Sequence, residues 1–217
     1  MLIEGKVNVE YVGSCENGAG GVEISKDGVV LQSVYDHVPV EITFSPEARV
    51  IATEALQKLG GYDETVFSCT RLIIPKNIER IEPGAFWWLD DAETVMVDED
   101  NSVYAAKDNA IFTKDMKKLV WCPPQIGGRE GTYVVPDGTE EILPLAFGET
   151  AVDTVVLPKS LKKWHRAYED DGMVNGFMFE DYGCLQTIVG ISGSYAEELA
   201  EDAGFAFTDI EDWEDDD

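Results

Sequence analysis

Short apolar runs that close on proline alternate along this chain with stretches in which apolar residues recur every three or four positions. In "RLIIPKNIERIEPGAF", Arg71 to Phe86, the run is Leu72, Ile73 and Ile74, and Pro75 closes it as a proline closes a strand. Ile78, Ile81, Ala85 and Phe86 follow at helix-like spacing. The segment is nevertheless too short for a strand and a full helix, and Pro83 interrupts its second half. The pattern predicts one short strand followed by a bent return path.

The same pattern returns. In "YVVPDGTEEILPLAF", Tyr133, Val135, Ile142, Ala146 and Phe147 stand around Pro136 as Leu72, Ile74, Ile81, Ala85 and Phe86 stand around Pro75. "VDTVVLPKSLKKW" places Val155, Leu157, Leu161 and Trp164 around Pro158, then inserts "HRAYEDDGMVNG" before Met178 and Phe179. "AETVMVD" and "LQTIVGI" repeat the strand half without the proline. "VEITFSPEARVIATEALQKL" offers Ser45 as an N-cap, Pro46 at the first helical position and apolar spacing through Leu59 before Gly60, which predicts a helix serving as the first coil. The period is about 22 residues, and a unit of that size cannot bury its own apolar side. Neighbouring units must stack and share a core, which predicts a solenoid.

"LIIPKNIERIEPGAF" and "YVVPDGTEEILPLAF" resemble the coil of the BspA-type, or Treponema pallidum-type, leucine-rich repeat, with its I-P-x-x-(V/L)-x-x-I-x-x-x-A-F core. "VDEDNSVYAAKDNAIFTKDMKKLVWCPPQIGGREGTYVVPDGTEEI" resembles that family's longer coil, which passes through a hairpin. It departs from the family at Trp121, Cys122 and Pro123, where an aromatic–proline pair is usual. "IVGISGSYAEELAEDAGFAF" resembles the closing segment. The resemblance implies an α/β solenoid: a right-handed leucine-rich repeat with a short-stranded parallel sheet, a hairpin insertion and a C-terminal capping helix. The expected organisation is an N-terminal β-cap over residues 1–39, the repeat solenoid with its cap over 40–208, and an acidic disordered tail over 209–217.

The residues themselves support the two ends. Ser194 and Glu197 form an S-x-x-E capping box, Leu199, Ala200 and Ala203 give an apolar face, and Gly204 suits the left-handed position after a helix. At the N-terminus, "VNVEYV" and "VEISKDGVVLQSV" predict strands, the latter with a turn at Lys26, Asp27 and Gly28.

Charge narrows the partners. The 217 residues carry 43 Asp and Glu against 16 Lys and Arg, a formal net charge of −27, which repels phosphate backbones and anionic headgroups. Neither nucleic-acid binding nor membrane insertion is expected. No basic n-region with an apolar run opens the chain, so as written it is expected to be cytoplasmic, whereas the family resemblance implies a cell-surface or secreted protein. Cys15, Cys69, Cys122 and Cys184 form no C-x-x-C pair and are expected to be reduced and buried.

Candidate chemistry is sparse. His165 lies beside Trp164 and near Glu169, Asp170 and Asp171, the elements of an acid–base group, but no nucleophile elbow accompanies them. "DEDNS" begins like a calcium loop yet has Val103 where that loop needs glycine and Asn109 where it needs glutamate. "GSCENGAGG" lacks the lysine of a phosphate cradle. No metal or cofactor is expected.

The repeat frame supplies the remaining candidate. If the residues one and three positions before each reference point face the core, those two and four before it face away. The first set gives an apolar row, Ile73, Met96, Val134, Val156 and Val189, and the second a threonine ladder, Thr94, Thr132, Thr154 and Thr187. Such a face is the usual docking surface of leucine-rich repeat proteins. Trp87 and Trp88 add a possible contact, since one of the pair should remain outside the core. The expected function is non-enzymatic binding of a protein or glycoconjugate, in adhesion or host interaction by a bacterium. The alternatives are an intracellular scaffold and, more remotely, a hydrolase with its site at the 165–176 insertion.

Overall fold

The computed structural model describes residues 6–10, 20–25, 29–35, 41–42, 44, 46, 48–52, 70–86, 89, 92–126, 131–148, 150–165 and 184–213. The chain is a parallel β-solenoid with one C-terminal helix among these residues, and it divides into two compact units, Met1–Lys114 and Asp115–Asp217.

In the first unit, β1 (Lys6–Glu10), β2 (Gly20–Ser25) and β3 (Val29–Tyr35) form an antiparallel meander. β3 then pairs in parallel with β5 (Val50–Ile51), and β5 with β7 (Arg80–Ile81). A second parallel sheet runs through β4 (Glu41–Ile42), β6 (Arg71–Ile74) and β8 (Thr94–Val97). Leu72 and Ile74 are fully buried from one sheet and Ile81 is largely buried from the other, with Ile78, Ala85 and Phe86 buried along the return path. Because Ile81 lies opposite Ile51 and Leu72 opposite Val95, like residues stack on like from coil to coil.

The helix predicted from Ser45 gives way at Val50 and Ile51, which form β5. Two adjacent β-branched residues favour a strand, and Ile51 gains a stacked partner in Ile81 that an isolated helix would not supply. The remainder of that prediction, 53–60, lies outside the described residues, as does the turn at 26–28.

After β8 the chain leaves the coil through the "DEDNS" segment and returns as a hairpin, β9 (Tyr104–Lys107) with β10 (Ala110–Thr113). Its two turn residues, Asp108 and Asn109, both have positive φ, 47° and 59°. That is the backbone of a two-residue type I′ turn, which matches the twist of the strands it joins. Asn101 is 1% exposed and holds the departure point. Its Nδ2 donates to the carbonyls of Pro75 (2.9 Å) and Ile78 (3.0 Å), while its Oδ1 accepts from the amides of Val103 and Tyr104, both at 2.8 Å. The Tyr104 hydroxyl accepts from the Ile81 amide at 2.8 Å. The segment that begins like a calcium loop is therefore an exposed turn, in which Asp98 accepts from the Asp100 amide, held in place by the buried Asn101 clamp.

In the second unit, β11 (Lys118–Trp121), β13 (Glu141–Ile142) and β15 (Lys163–Trp164) form one parallel sheet. β12 (Thr132–Val134), β14 (Thr154–Val156), β16 (Thr187–Gly190) and β17 (Ala206–Asp209) form the other. Between them lie Leu119, Ile142, Trp164, Tyr133, Val155 and Ile188, all buried. Phe147 packs against Tyr133 at 5.8 Å and Trp164 at 5.2 Å between ring centroids, so aromatic residues fill this part of the core. Cys122 is buried with its thiol pKa pushed up by that burial, whereas Cys184 is only half-buried, contrary to expectation; both are free thiols. Cys15 and Cys69 lie outside the described residues.

The predicted helix spans Tyr195–Ala203. The Ser194 hydroxyl accepts from the Ala196 amide, Gly204 takes φ 79°, and Ala196, Leu199 and Ala200 form the buried face. Glu197 closes the turn by accepting from the Gly193 amide, one residue before the cap. The chain then adds β17 alongside β16, so the boundary expected at residue 209 falls at the end of a strand. A turn follows in which the Asp212 amide donates to the Asp209 carbonyl, and only residues 214–217 of the tail lie outside the described residues.

Two outcomes test this packing. Asn101→Ala leaves two carbonyls and two amides without their partner and is expected to lower unfolding stability by about 3 kcal/mol in urea titration, whereas a cost under about 0.5 kcal/mol would refute the clamp. A Cβ at Gly190 would stand 2.5 Å from the Ala196 Cβ. Gly190→Ala should therefore lower stability by about 1–3 kcal/mol, and adding Ala196→Gly should recover part of that despite the helix penalty of glycine. Strict additivity of the two costs would show that the clash does not exist.

Candidate partner-binding face

The two sets of residues singled out by the repeat frame do fall in register. Ile73 lies opposite Met96 and Arg71 opposite Thr94 in the first unit. Val134, Val156 and Val189 lie side by side in the second, as do Thr132, Thr154 and Thr187.

Their exposure differs from the expected continuous row. Met96 is 53% exposed and Val134 50%, and these are the most open large apolar side chains among the described residues. Ile73 is half-buried. Val156 is 6% exposed and Val189 fully buried, so neither is an outward contact. Consecutive strand residues point to opposite faces, so the burial of Val155 with Val156, and of Ile188, Val189 and Gly190 together, means that both faces of β14 and β16 are covered at that level. The frame identified which way these side chains point but assumed that the outward face is open along every strand. Thr94 is exposed, whereas Thr132, Thr154 and Thr187 are half-buried. Thr94 donates its hydroxyl proton to the Thr70 carbonyl of the preceding coil and Thr154 donates to the adjacent Asp153, so two rungs of the ladder already donate to the chain itself. Trp87 and Trp88 lie outside the described residues.

His165 pairs with Glu141 of the preceding coil and not with a carboxylate of its own insertion. Its Nε2 lies 2.8 Å from Glu141 Oε2, which also accepts from Lys118 Nζ at 3.0 Å. The hydrogen bond from His165, followed by that from Lys118, holds the Glu141 carboxyl below its ordinary pKa. Next to it, Glu140 bridges Lys117 (2.7 Å) and Lys162, which hold its carboxyl down to about 2. These charges sit on one sheet, where β13 places Glu141 between Lys118 of β11 and Lys163 of β15. The signal was present in the sequence: Lys117–Lys118, Glu140–Glu141 and Lys162–Lys163 occupy the same place in three successive coils. The carboxylates expected beside His165, Glu169, Asp170 and Asp171, lie outside the described residues.

No family model matches the chain, and no curated protein matches it. Among solved structures it is similar to the pneumococcal vaccine antigen PcpA, with 22% identity over 68% of this chain and 38% of that one and a TM-score of 0.47. It is also similar to a leucine-rich repeat protein from Eubacterium ventriosum, with 11% identity over 86% of this chain and 73% of that one and a TM-score of 0.41. The chain spans 38% of the PcpA chain's length. The assignment of a parallel β-solenoid rests on the strand registers themselves.

The acid–base ladder gives a pH prediction with a definite sign. The folded pKa of Glu140 lies below its ordinary value of 4.5, so its contribution is complete above that value and is lost as pH falls toward about 2. The stability gap between the native chain and Glu140→Gln should be largest near neutral pH at low salt, and should close on acidification or on addition of salt. A gap of equal size at about pH 6 and about pH 2 would show that the carboxylate is not held by the lysines.

Proposed function

We propose that this chain is a BspA-type leucine-rich repeat protein that binds a protein or glycoconjugate partner without catalysis, displayed at a bacterial surface. The observation that carries the reading is the exposure of Met96 and Val134. Val134 stands between buried Tyr133 and Val135, and Met96 between buried Val95 and half-buried Val97, so each exposed apolar side chain belongs to an ordered sheet face and not to a frayed loop. Large apolar groups exposed on strands of a chain of net charge −27 are unfavourable in water, and their burial against a partner would relieve that cost. The half-buried and exposed threonines beside them offer hydroxyls at a rim of the kind that surrounds an apolar contact.

Met96→Asp and Val134→Asp variants, both at exposed positions, should retain the native circular dichroism spectrum and thermal midpoint. Binding of these variants to arrays of host-surface proteins and glycans should fall at least about tenfold relative to the native chain, an amount ordinary for loss of one apolar anchor. Undiminished binding by both would place the contact elsewhere. Fractionation of the producing cell decides the location: recovery only in the cytosol would replace the surface reading with that of an intracellular scaffold. A hydrolytic activity abolished by His165→Ala would replace the binding reading altogether.

A further inference from the structure

β17 pairs on one side only among the described residues, so it forms the edge of the sheet β12–β14–β16–β17. The Ala206 amide donates to the Gln186 carbonyl and the Ile210 amide to that of Gly190. Backbone groups alternate along a parallel strand, so those of Phe207 and Asp209 point away from β16. The Asp209 carbonyl is taken by the Asp212 amide. Among the described residues, the outward amide and carbonyl of Phe207 and the amide of Asp209 have no hydrogen-bond partner, which leaves them to an added strand. The edge is firmly held: Phe207 is half-buried with its ring against Gly190, and the Asp209 carboxylate accepts from the Ser192 amide at 3.0 Å and the Glu211 amide at 2.9 Å.

The charge near this edge in sequence is of one sign. No residue after Arg166 is Lys, Arg or His. Near the edge in sequence stand Glu201, Asp202, Glu211 and Asp212, all exposed, together with Asp209. An open edge ordinarily invites pairing with another copy of the same strand. Here a second copy would bring its own Asp209, Glu211 and Asp212 against these, and like charges across a strand pair are unfavourable. An extended segment bearing cations meets the reverse situation.

We propose that the outer edge of β17 is a strand-addition site for an extended peptide segment carrying Lys or Arg. Backbone hydrogen bonds to Phe207 and Asp209 supply the pairing, and attraction to Glu211 and Asp212 selects the cationic strand. The site is a strand edge and uses neither Met96 nor Val134. With so few backbone bonds available, a single segment binds weakly, with a Kd on the order of 1 mM, and more weakly as salt is raised.

The test uses the full chain and an end-blocked peptide of alternating valine and lysine, followed by amide NMR and hydrogen exchange. The peptide should shift the Phe207 and Asp209 amides saturably and slow their exchange. The same peptide with glutamate in place of lysine, or with alternate backbone nitrogens methylated, should not. Combined Glu211→Gln and Asp212→Asn substitution should weaken binding about fivefold at an unchanged thermal midpoint, while Glu99→Gln with Asp100→Asn should leave it unaltered. Four outcomes would overturn the proposal: no saturation by concentrations on the order of 10 mM; indifference to N-methylation, which would mean diffuse attraction to an acidic surface; shifts confined to residues other than 205–213; or protection of the Phe207 amide in the free chain with dimers in sedimentation, which would give the edge to a second copy.

Discussion

No coil of this chain can satisfy its own strands. Each is too short to fold back on itself, so its backbone amides donate to neighbouring coils: Glu82 to Ile51, Asp98 to Ile74 and Leu143 to Leu119 in the coil before, and Val135 to Val156 and Leu157 to Val189 in the coil after. Side chains follow that register, and the apolar stacks Ile51 with Ile81 and Leu119 with Ile142 and Trp164 result from it. Buried backbone without a partner is costly, so this dependence fixes the repeat length more tightly than hydrophobicity alone can. Where the chain breaks the repeat to make the β9–β10 hairpin, a side chain must take over from the missing coil. Asn101 does so because an amide offers both donors and an acceptor, and can serve two carbonyls and two amides at once.

The legible part of the fold is the part governed by that repetition. The spacing around Pro75, Pro136 and Pro158 placed Leu72, Ile74, Tyr133, Val135, Val155 and Leu157 in the core, where they are. Ser194, Glu197 and Gly204 placed the helix because capping chemistry is local and needs no knowledge of neighbours. Val50 and Ile51 were misjudged for the opposite reason. Their helical spacing is real in one dimension, but parallel pairing with Arg80 and Ile81 outweighs it. β17 was missed because "FAFTDIED" loses its strand signal in acidic residues that serve its turn.

The candidate face was half legible. A period-two pattern says which side of a strand a residue occupies, and the registers agree with it. It does not say whether that side meets water, which depends on chain far away in sequence. Met96 and Val134 therefore remain open while Val156 and Val189 do not. The charge ladder is encoded at the repeat spacing by the three paired-charge positions, but which lysine meets which carboxylate depends on the parallel register of β11, β13 and β15.

That ladder has an evolutionary consequence. Arrays of repeats ordinarily lengthen and shorten by gain or loss of single coils. Along β11, β13 and β15 the sign of the charged pair alternates, from Lys117–Lys118 through Glu140–Glu141 to Lys162–Lys163. Excision of the middle coil would stack lysine on lysine, and duplication of it would stack glutamate on glutamate. This stretch therefore carries a parity: it tolerates change by two coils far better than by one, and its length is guarded by electrostatics on the outside as well as by packing within.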